Sequence, residues 1–250
     1  IHNFALNLRP LLMQPPVKGA VTMGLDPGYS HGCKVAVVDE TGKVLDTTVV
    51  YPTFGEKQKQ DAIAKLSQLI KKDNVRHLAI GNGTASRDTE NVLRAIVYPR
   101  PVEIFTVSEN GASVYSASDV AREEFPDHDV TVRGAVSIGR RLIDPLAELV
   151  KIDPKSIGVG QYQHDVNQSA LKDSLDFTVM SCVNTVGVNI NTASRQLLAY
   201  VSGIGPQLAA NIVNYRAEHG DFDSKKSIMD VPRMGAKAFA QAAGFLRIPD

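Results

Sequence analysis

Residues 21–28 read VTMGLDPG, a strand-like apolar run that ends at a proline and a glycine. Two further strand-like runs follow at residues 34–39 and 43–51, with a Thr41-Gly42 turn between them. The loops between the three runs are short and contain glycine or aspartate, which is the spacing of β-hairpins. The sequence therefore predicts an antiparallel meander of three strands.

The residues after the meander alternate between helical and strand-like patterns. Apolar residues at 63, 66, 69 and 70 have helical spacing, and Lys71-Lys72 suit the carboxyl end of that helix. Strands are predicted at residues 77–80 and 102–107, and helices at 56–72, 87–97, 112–124 and 130–150. The order β-β-β-α-β-α-β-α-α predicts a mixed sheet with helices on both faces, and it matches the RNase H-like α/β fold.

The composition divides the chain into four predicted regions. Residues 1–20 read as the tail of a preceding helical region and a Pro/Gly linker, and residues 21–150 form the α/β domain. Residues 151–167 are rich in Gly, Gln, Asp and Asn, as in a connector, and residues 168–250 contain short helical segments without a convincing strand. The chain begins at Ile1 in the middle of a helical pattern, so we expect it to be a piece of a longer protein.

An internal repeat marks the last region. Residues 197–213 (LLAYVSGIGPQLAANIV) align with residues 227–243 (SIMDVPRMGAKAFAQAA) at an offset of 30. Each copy reads as helix, tight turn, helix, and in the first copy the turn is Gly203-Ile204-Gly205, followed by a proline that suits the start of a helix. Such a turn exposes the free N–H groups of the second helix to a phosphate backbone, as helix-hairpin-helix units do. An all-α domain of tandem helix-hairpin-helix units is therefore predicted.

The repeat supplies the candidate nucleic-acid-binding residues. These are the turn residues and the polar or basic residues around them, namely Gly203, Ile204, Gly205, Gln207, Arg216, Arg233, Gly235 and Lys237. One alternative is that the Gly-Ile-Gly turn only packs two helices against each other. The second turn, Arg233-Met234-Gly235, lacks the first glycine, so a purely structural role for the second copy also stays open.

Three acids at the ends of predicted elements form a candidate catalytic site. Asp26 ends the first strand, Glu109 follows a later strand, and Asp144 lies on the final helix of the α/β domain. If they converge at one end of the sheet, they could hold two divalent ions, Mg²⁺ or Mn²⁺, roughly 4 Å apart for hydrolysis. Each acid also has a structural alternative as a turn or cap residue. Asn82 is neutral at a strand end where a resolvase-like nuclease supplies an acid, so the site is expected to be vestigial, with no certain cofactor.

The overall composition limits the possible classes of protein. Lys plus Arg equals Asp plus Glu, so the formal net charge is +0, and any nucleic-acid binding must come from local patches or backbone amides. The two cysteines, Cys33 and Cys182, have no metal-ligand spacing, which indicates a reducing compartment. No apolar run approaches the roughly 20 residues of a membrane helix. We therefore expect a cytoplasmic protein, or a nuclear one if its source is eukaryotic.

Several segments resemble the Tex family of transcription accessory proteins. They are residues 24–28 (GLDPG), 33–39 (CKVAVVD), 144–154 (DPLAELVKIDP), 158–167 (GVGQYQHDVN), 188–194 (VNINTAS) and 243–248 (AGFLRI). The resemblance covers residues 21 to 248 and implies a YqgF-type RNase H-like domain followed by tandem helix-hairpin-helix units. It also implies further helical parts upstream and an OB-type RNA-binding domain downstream in full-length members.

Three functions fit these observations. The repeat, the neutral Asn82 and the family resemblance favour a non-catalytic scaffold that binds RNA or DNA in transcription or RNA processing, with transcription machinery proteins as further partners. The three acids favour a metal-dependent nuclease or resolvase. The absence of net charge favours a platform for protein interactions alone. A monomer is expected, although the sequence leaves the oligomeric state open.

Overall fold

The computed structural model describes residues 1–160 and 163–249, so Gln161 and Tyr162 of the GVGQYQHDVN stretch lie outside the described residues. The chain forms two compact units. The helical unit combines residues 1–14, including helix α1 (His2–Leu12), with residues 149–250, and the sheet unit comprises residues 15–148. Residues 1–14 thus pack with the later part of the chain. The bounds of the four predicted regions stay predictions.

The sheet unit contains one five-stranded mixed sheet. Its strands are β1 (Val21–Asp26), β2 (Cys33–Val38), β3 (Val44–Val50), β4 (Val75–Gly81) and β5 (Glu103–Val107). The spatial order is β3-β2-β1-β4-β5, in which β1, β2 and β3 pair antiparallel while β4 and β5 add in parallel. Leu25 of β1 lies between Val35 of β2 and Ile80 of β4. The predicted meander and mixed sheet are confirmed.

Helices cover both faces of this sheet. The helices of this unit are α2 (Glu56–Lys72), α3 (Ser86–Arg94), α4 (Ala112–Ser116), α5 (Asp119–Glu124), α6 (Val130–Ile143) and α7 (Pro145–Leu149), which ends at the boundary of the unit. Because side chains alternate along a strand, Val35 and Val37 of β2 join a core with α2, whereas Ala36 and Val38 join a core with α6. The sheet is therefore buried on both faces, as predicted.

Helix α6 crosses β1 very closely and in the opposite direction. A Cβ added to Gly24 would collide with the Ala135 carbonyl oxygen and lie 2.8 Å from the Gly139 nitrogen, so only glycine fits there. A Cβ on Gly134, near the start of α6, would lie 3.2 Å from an Asp26 carboxylate oxygen. At the other end of the helix, Val17, just before β1, donates its N–H to the carbonyl of Leu142. The start of α6 therefore faces the carboxyl end of β1.

The predicted helix over residues 130–150 is wrong as a single element. It breaks at Asp144, whose backbone is extended (φ −152, ψ 89), and α7 begins at Pro145. A residue before proline is disfavoured in the helical region because the proline ring crowds it. The Asp144 carboxylate accepts the N–H of Ala147 at 3.2 Å and so caps the new helix.

The helical unit is built from α1, four later α-helices and short 3₁₀ helices, of which Lys226–Asp230 precedes the second hairpin turn. The four later α-helices are α8 (Gln168–Val186), α9 (Arg195–Leu198), α10 (Gly205–His219) and α11 (Ala236–Ala242). Two short strands, β6 (Val188–Asn189) and β7 (Leu246–Arg247), also pair in parallel, which corrects the expectation that this region lacks strands. Their pairing is non-local, and a two-residue strand has no alternation pattern that a sequence could reveal. In the described residues, no helix is long and apolar enough to cross a membrane.

Candidate nucleic-acid interface and carboxylate pair

The first hairpin turn joins α9 to α10 and has the backbone conformation that its glycines predict. Gly203 and Gly205 both have positive φ angles, of 87° and 69°. Ile204 lies between them and donates its N–H to the carbonyl of Val201 at 3.0 Å. Residues with side chains are strained in this region of backbone space, so two glycines permit a turn that other residues resist.

The two glycines of this turn serve different purposes. A Cβ on Gly203 would lie 2.8 Å from the Cβ of Gln241 and 3.1 Å from the carbonyl oxygen of Ala238, so the turn packs tightly against α11. A Cβ on Gly205 would meet nothing within 4 Å. Gly203 therefore allows the two hairpins to pack together, while Gly205 faces open space at the start of α10.

The amino terminus of α10 has the properties of an anion site. The N-cap residue, Ile204, provides no side-chain hydrogen bond, and Pro206 occupies the first turn. The first N–H groups of a helix have no partner within it, and the aligned peptide dipoles place partial positive charge there. An approaching phosphate oxygen would meet free donors, as at other helix amino termini that bind phosphate.

The second hairpin turn reproduces the first at the predicted offset of 30 residues. Arg233 corresponds to Gly203 and has a left-handed backbone with φ 67, although it is not glycine. Met234 donates its N–H to Val231 at 3.0 Å, as Ile204 does to Val201. The copies differ at their last residue, because Gly235 is extended (φ −75, ψ 167) and α11, which follows it, has seven residues. The repeat is therefore real in three dimensions but not exact.

Two predicted binding residues have structural positions instead. The Ile204 side chain is only 7% exposed, and its N–H is already used within the turn. The Arg216 guanidinium is half-buried and donates to the carbonyl of Ile190 at 2.8 Å, and burial lowers its pKa. Both therefore stabilise the helical unit rather than offer a free contact. Sequence spacing could not reveal this, because it does not fix the direction of a long side chain.

The other predicted binding residues lie at the surface. Gln207, Arg233, Gly235 and Lys237 are exposed, and Gly203 and Gly205 form the turn itself. Gln207 lies in the first turn of α10, and Lys237 lies in the first turn of α11. Their roles in binding stay predictions.

Asp26 and Glu109 come together at the carboxyl end of the sheet. Asp26 ends β1, and Glu109 follows β5 two residues after its last residue. A Cβ on Gly83 would collide with a Glu109 carboxylate oxygen, and one on Gly81 would lie 2.8 Å from the other oxygen. Glu109 also donates its own N–H to the side-chain oxygen of Asn82 at 3.1 Å. The loop after β4 thus holds Glu109 in place.

Burial and charge determine the protonation of this pair. Burial, the largest cause, and the negative charge of Glu109 together raise the pKa of Asp26 to about 6, against the opposing effect of Lys34. Lys34 is the cross-strand partner of Asp26 on β2. Burial also raises the pKa of Glu109, while the Gly83 N–H and the charge of Arg141 oppose the shift. The two carboxylates therefore share a partly dehydrated site.

Asp144 does not join this pair. It follows the last residue of α6, ten positions after Gly134, which is the residue beside Asp26, and ten residues of helix span roughly 15 Å. The predicted convergence of three acids is therefore wrong. Because α6 runs opposite to β1, the last residues of α6 lie at the amino end of β1, whereas Asp26 lies at its carboxyl end. Among residues 1–160 and 163–249, no group of three or more His, Cys, Asp or Glu residues could hold a metal ion. The residues present do not fit a two-metal centre.

Two cations near the pair were not singled out by the sequence. One is Lys34, and the other is Arg141 of α6, which is 5% exposed. The Arg141 guanidinium donates to the carbonyls of Ser108 and Asn110, at 3.0 and 2.7 Å, and so holds the loop that carries Glu109. The sequence did contain a signal for Arg141. Two consecutive arginines, at 140 and 141, lie on a helix predicted to cover the sheet, and a buried arginine needs hydrogen-bond acceptors around it.

The two units define a class of protein with a nuclease-like sheet domain and a helix-hairpin-helix region. A family model described as "Tex protein YqgF-like domain" matches residues 20–143. A second model, described as "Helix-hairpin-helix motif", matches residues 183–247 and thus both hairpins.

Similar proteins narrow the class to a family. The chain is 59% identical over 248 residues to the "Transcriptional accessory protein Tex" of Neisseria gonorrhoeae, covering 98% of this chain and 32% of that protein. It is 56% identical over 253 residues to "Protein tex" of Bordetella pertussis, covering 100% of this chain and 32% of that protein. It is 46% identical to the human "S1 RNA-binding domain-containing protein 1", covering 98% of this chain and 25% of that protein. The chain belongs to the Tex family and spans about a third of the length of its bacterial relatives.

Proposed function

We propose that this chain is a non-catalytic nucleic-acid-binding core of a transcription accessory or RNA-processing factor. The observation that carries the proposal is the uncapped amino terminus of α10 behind the Gly203–Gly205 turn. Backbone N–H groups there bind a phosphate oxygen whatever the base sequence, so the contact positions the nucleic acid without reading it.

The charge distribution supports binding through a local site. The chain has no net charge, so attraction over long distances is weak, and affinity depends on the few exposed donors near the hairpins. Arg233 and Lys237 are exposed cations on the second hairpin, close in sequence to its turn. RNA and DNA both present the phosphates that such donors bind.

The names of the relatives suggest a cellular setting. One relative is called a transcriptional accessory protein and another an S1 RNA-binding domain-containing protein. We infer from them that this chain acts on RNA or DNA during transcription, together with proteins of the transcription machinery. We propose that it does so in the cytoplasm, or in the nucleus if its source is eukaryotic. A monomeric state fits the proposal, since each hairpin turn is complete within one chain.

Two other functions have some support. The Asp26–Glu109 pair favours a metal-dependent nuclease, since two dehydrated carboxylates are the start of a cation site. The position on α6 that faces Asp26 is Gly134, however, and no third acid supports the pair among the described residues. The absence of net charge favours a platform for proteins alone.

A glutamate in the first turn tests the proposal. Gly205→Glu places a carboxylate where a phosphate would bind, in open space. We expect Kd for labelled DNA and RNA to rise about tenfold or more, since a lost charge-assisted contact is worth on the order of 1.5–3 kcal/mol. Fluorescence anisotropy measures this change.

Gly220 provides a matched control for that variant. It ends the same helix, has a positive φ of 83°, and would also place a Cβ in open space. Gly220→Glu therefore also places a side chain on a residue with positive φ and adds the same charge at the far end of α10. Equal affinities for the two variants would refute the α10 amino terminus as the binding site.

A further inference from the structure

The second hairpin turn contains a residue whose backbone conformation glycine would adopt more easily. Arg233 is one of two non-glycine residues with a positive φ among the described residues. The equivalent residue of the first turn is Gly203, which has a φ of 87°. A residue with a Cβ is strained in this conformation. The fold of the turn alone therefore does not explain an arginine at this position.

The Arg233 side chain is free to act on a ligand. The residue is exposed, and no acceptor or carboxylate among the described residues takes a hydrogen bond or ion pair from its guanidinium. Two nearby arginines differ in this respect. Arg216 donates to Ile190, and Arg247 donates to Gly244 at 2.6 Å. Arg233 is thus an unpaired cation at the tip of a turn.

A chain of hydrogen bonds links this turn to the start of α10. The Asn211 amide donates to the carbonyl of Pro232, the residue before Arg233, at 2.9 Å. The Asn211 side-chain oxygen in turn accepts from the Gln207 amide at 3.1 Å. Asn211 lies six residues after Gly205, or roughly 9 Å along the helix axis. The first turn also contacts α11 through Gly203 and Gln241. The two turns are therefore fixed relative to each other.

We propose that Arg233 supplies a second phosphate contact, through its side chain instead of backbone amides, and that Asn211 positions it so that both turns bind one nucleic-acid backbone together. The inference rests on the proposed function and deepens it. An arginine is suited to this role because its guanidinium presents several donors in a planar fork that matches phosphate oxygens. Asn211 is a positioning residue, since it acts through the Pro232 carbonyl.

The decisive variant is Arg233→Gly, which gives the second turn the glycine that the first turn has at the equivalent position, Gly203. Because it removes backbone strain, we expect Tm to stay within about 2 °C of the unaltered chain or to rise. Affinity for a labelled random-sequence DNA duplex should nevertheless fall about tenfold at low salt, and the slope of log K against log salt should become shallower by about 0.9. Arg233→Lys keeps the charge and serves as the matched control, with a slope close to that of the unaltered chain.

A double-mutant cycle tests the positioning role of Asn211. Asn211→Ala alone should weaken binding, and the double variant with Arg233→Gly should bind no more weakly than Arg233→Gly alone. Such non-additivity arises when one residue acts through the other, whereas general loss of structure would add to the effect. Additive losses would overturn the proposed link.

The outcomes separate this inference from the proposed function. If Arg233→Gly binds with unchanged affinity and salt slope while Gly205→Glu binds more weakly, the first hairpin binds nucleic acid and the inference about Arg233 is wrong. If neither variant changes binding, the hairpins are not the site and both proposals fail. A large fall in Tm for Arg233→Gly would show that the arginine has a structural role, which also contradicts the inference.

Discussion

Burial sets the acidity of Asp26 more strongly than its charged neighbours do. Its carboxylate lies at the end of β1 between Lys34, which favours ionisation, and Glu109, which opposes it. The result is a pKa of about 6 in the folded state against 3.8 for an unperturbed aspartate. The folded protein therefore holds the proton of Asp26 more tightly than the unfolded chain does, and stability is lost as pH rises through this interval.

The variant Asp26→Asn tests this environment. Because the pKa is raised on folding, the contribution of Asp26 is fully favourable below about pH 4 and is lost above about pH 6. We expect the variant to match the unaltered chain near pH 4 and to be more stable at pH 7 and above, by about 2 kcal/mol after allowance for partial exposure. Urea unfolding at the two pH values measures the difference. A variant that is less stable at neutral pH would show that the ionised carboxylate is stabilised in the fold.

At the scale of elements, the crossing of α6 over β1 organises the sheet unit. Gly24 and Gly139 let the two backbones approach, so α6 lies deep against the strand. Two arginines of α6 then donate hydrogen bonds to neighbouring loops. Arg140 donates to Gly42, and Arg141 donates to the loop that carries Glu109. The geometry of the carboxylate pair therefore depends on how close α6 lies to β1.

Gly24→Ala tests the close crossing. The added methyl would collide with the Ala135 carbonyl and approach the Gly139 nitrogen, and neither backbone group can move without shifting α6. We expect a loss of about 2 kcal/mol or more in the free energy of unfolding, as for other overpacked cores. Gly244→Ala is the control, since its Cβ would meet nothing within 4 Å, and it should change stability by less than about 0.5 kcal/mol. Similar stabilities for the two variants would show that α6 can move away from β1 at little cost.

The elements also show what sequence patterns can and cannot predict. Hairpin spacing and the alternation of strands and helices were enough for the mixed sheet, and a 30-residue offset was enough for the paired turns. The position of Asp144 could not be read in the same way, because it depends on the direction in which α6 crosses β1. That direction is set by tertiary contacts at Gly24, Gly134 and Gly139. The spacing of apolar residues along α6 would be the same whichever way the helix crossed β1.

At the scale of the whole molecule, the chain carries two units with different kinds of chemistry. The sheet unit has a pair of partly buried carboxylates without a third acid among the described residues. The helical unit has two turns with free donors at the surface. Long-range attraction to nucleic acid is weak because the net charge is zero, so binding should depend on a few local contacts. The sequence could predict the first turn from its glycines and the second from the 30-residue offset. It could not predict which arginines are free, because the hydrogen bond of Arg216 to Ile190 is a tertiary contact.

The most direct test is a binding titration of the unaltered chain with single- and double-stranded DNA and RNA at several salt concentrations. Run with Mg²⁺ and then Mn²⁺, the same samples are inspected on a gel for cleavage. We predict binding whose log K falls linearly with log salt, because each phosphate contact releases counterions. The slope should correspond to about two or three phosphate contacts. We also predict no cleavage. Absence of binding under every condition would contradict the account, and so would cleavage that Asp26→Asn abolishes, which would make the chain a nuclease.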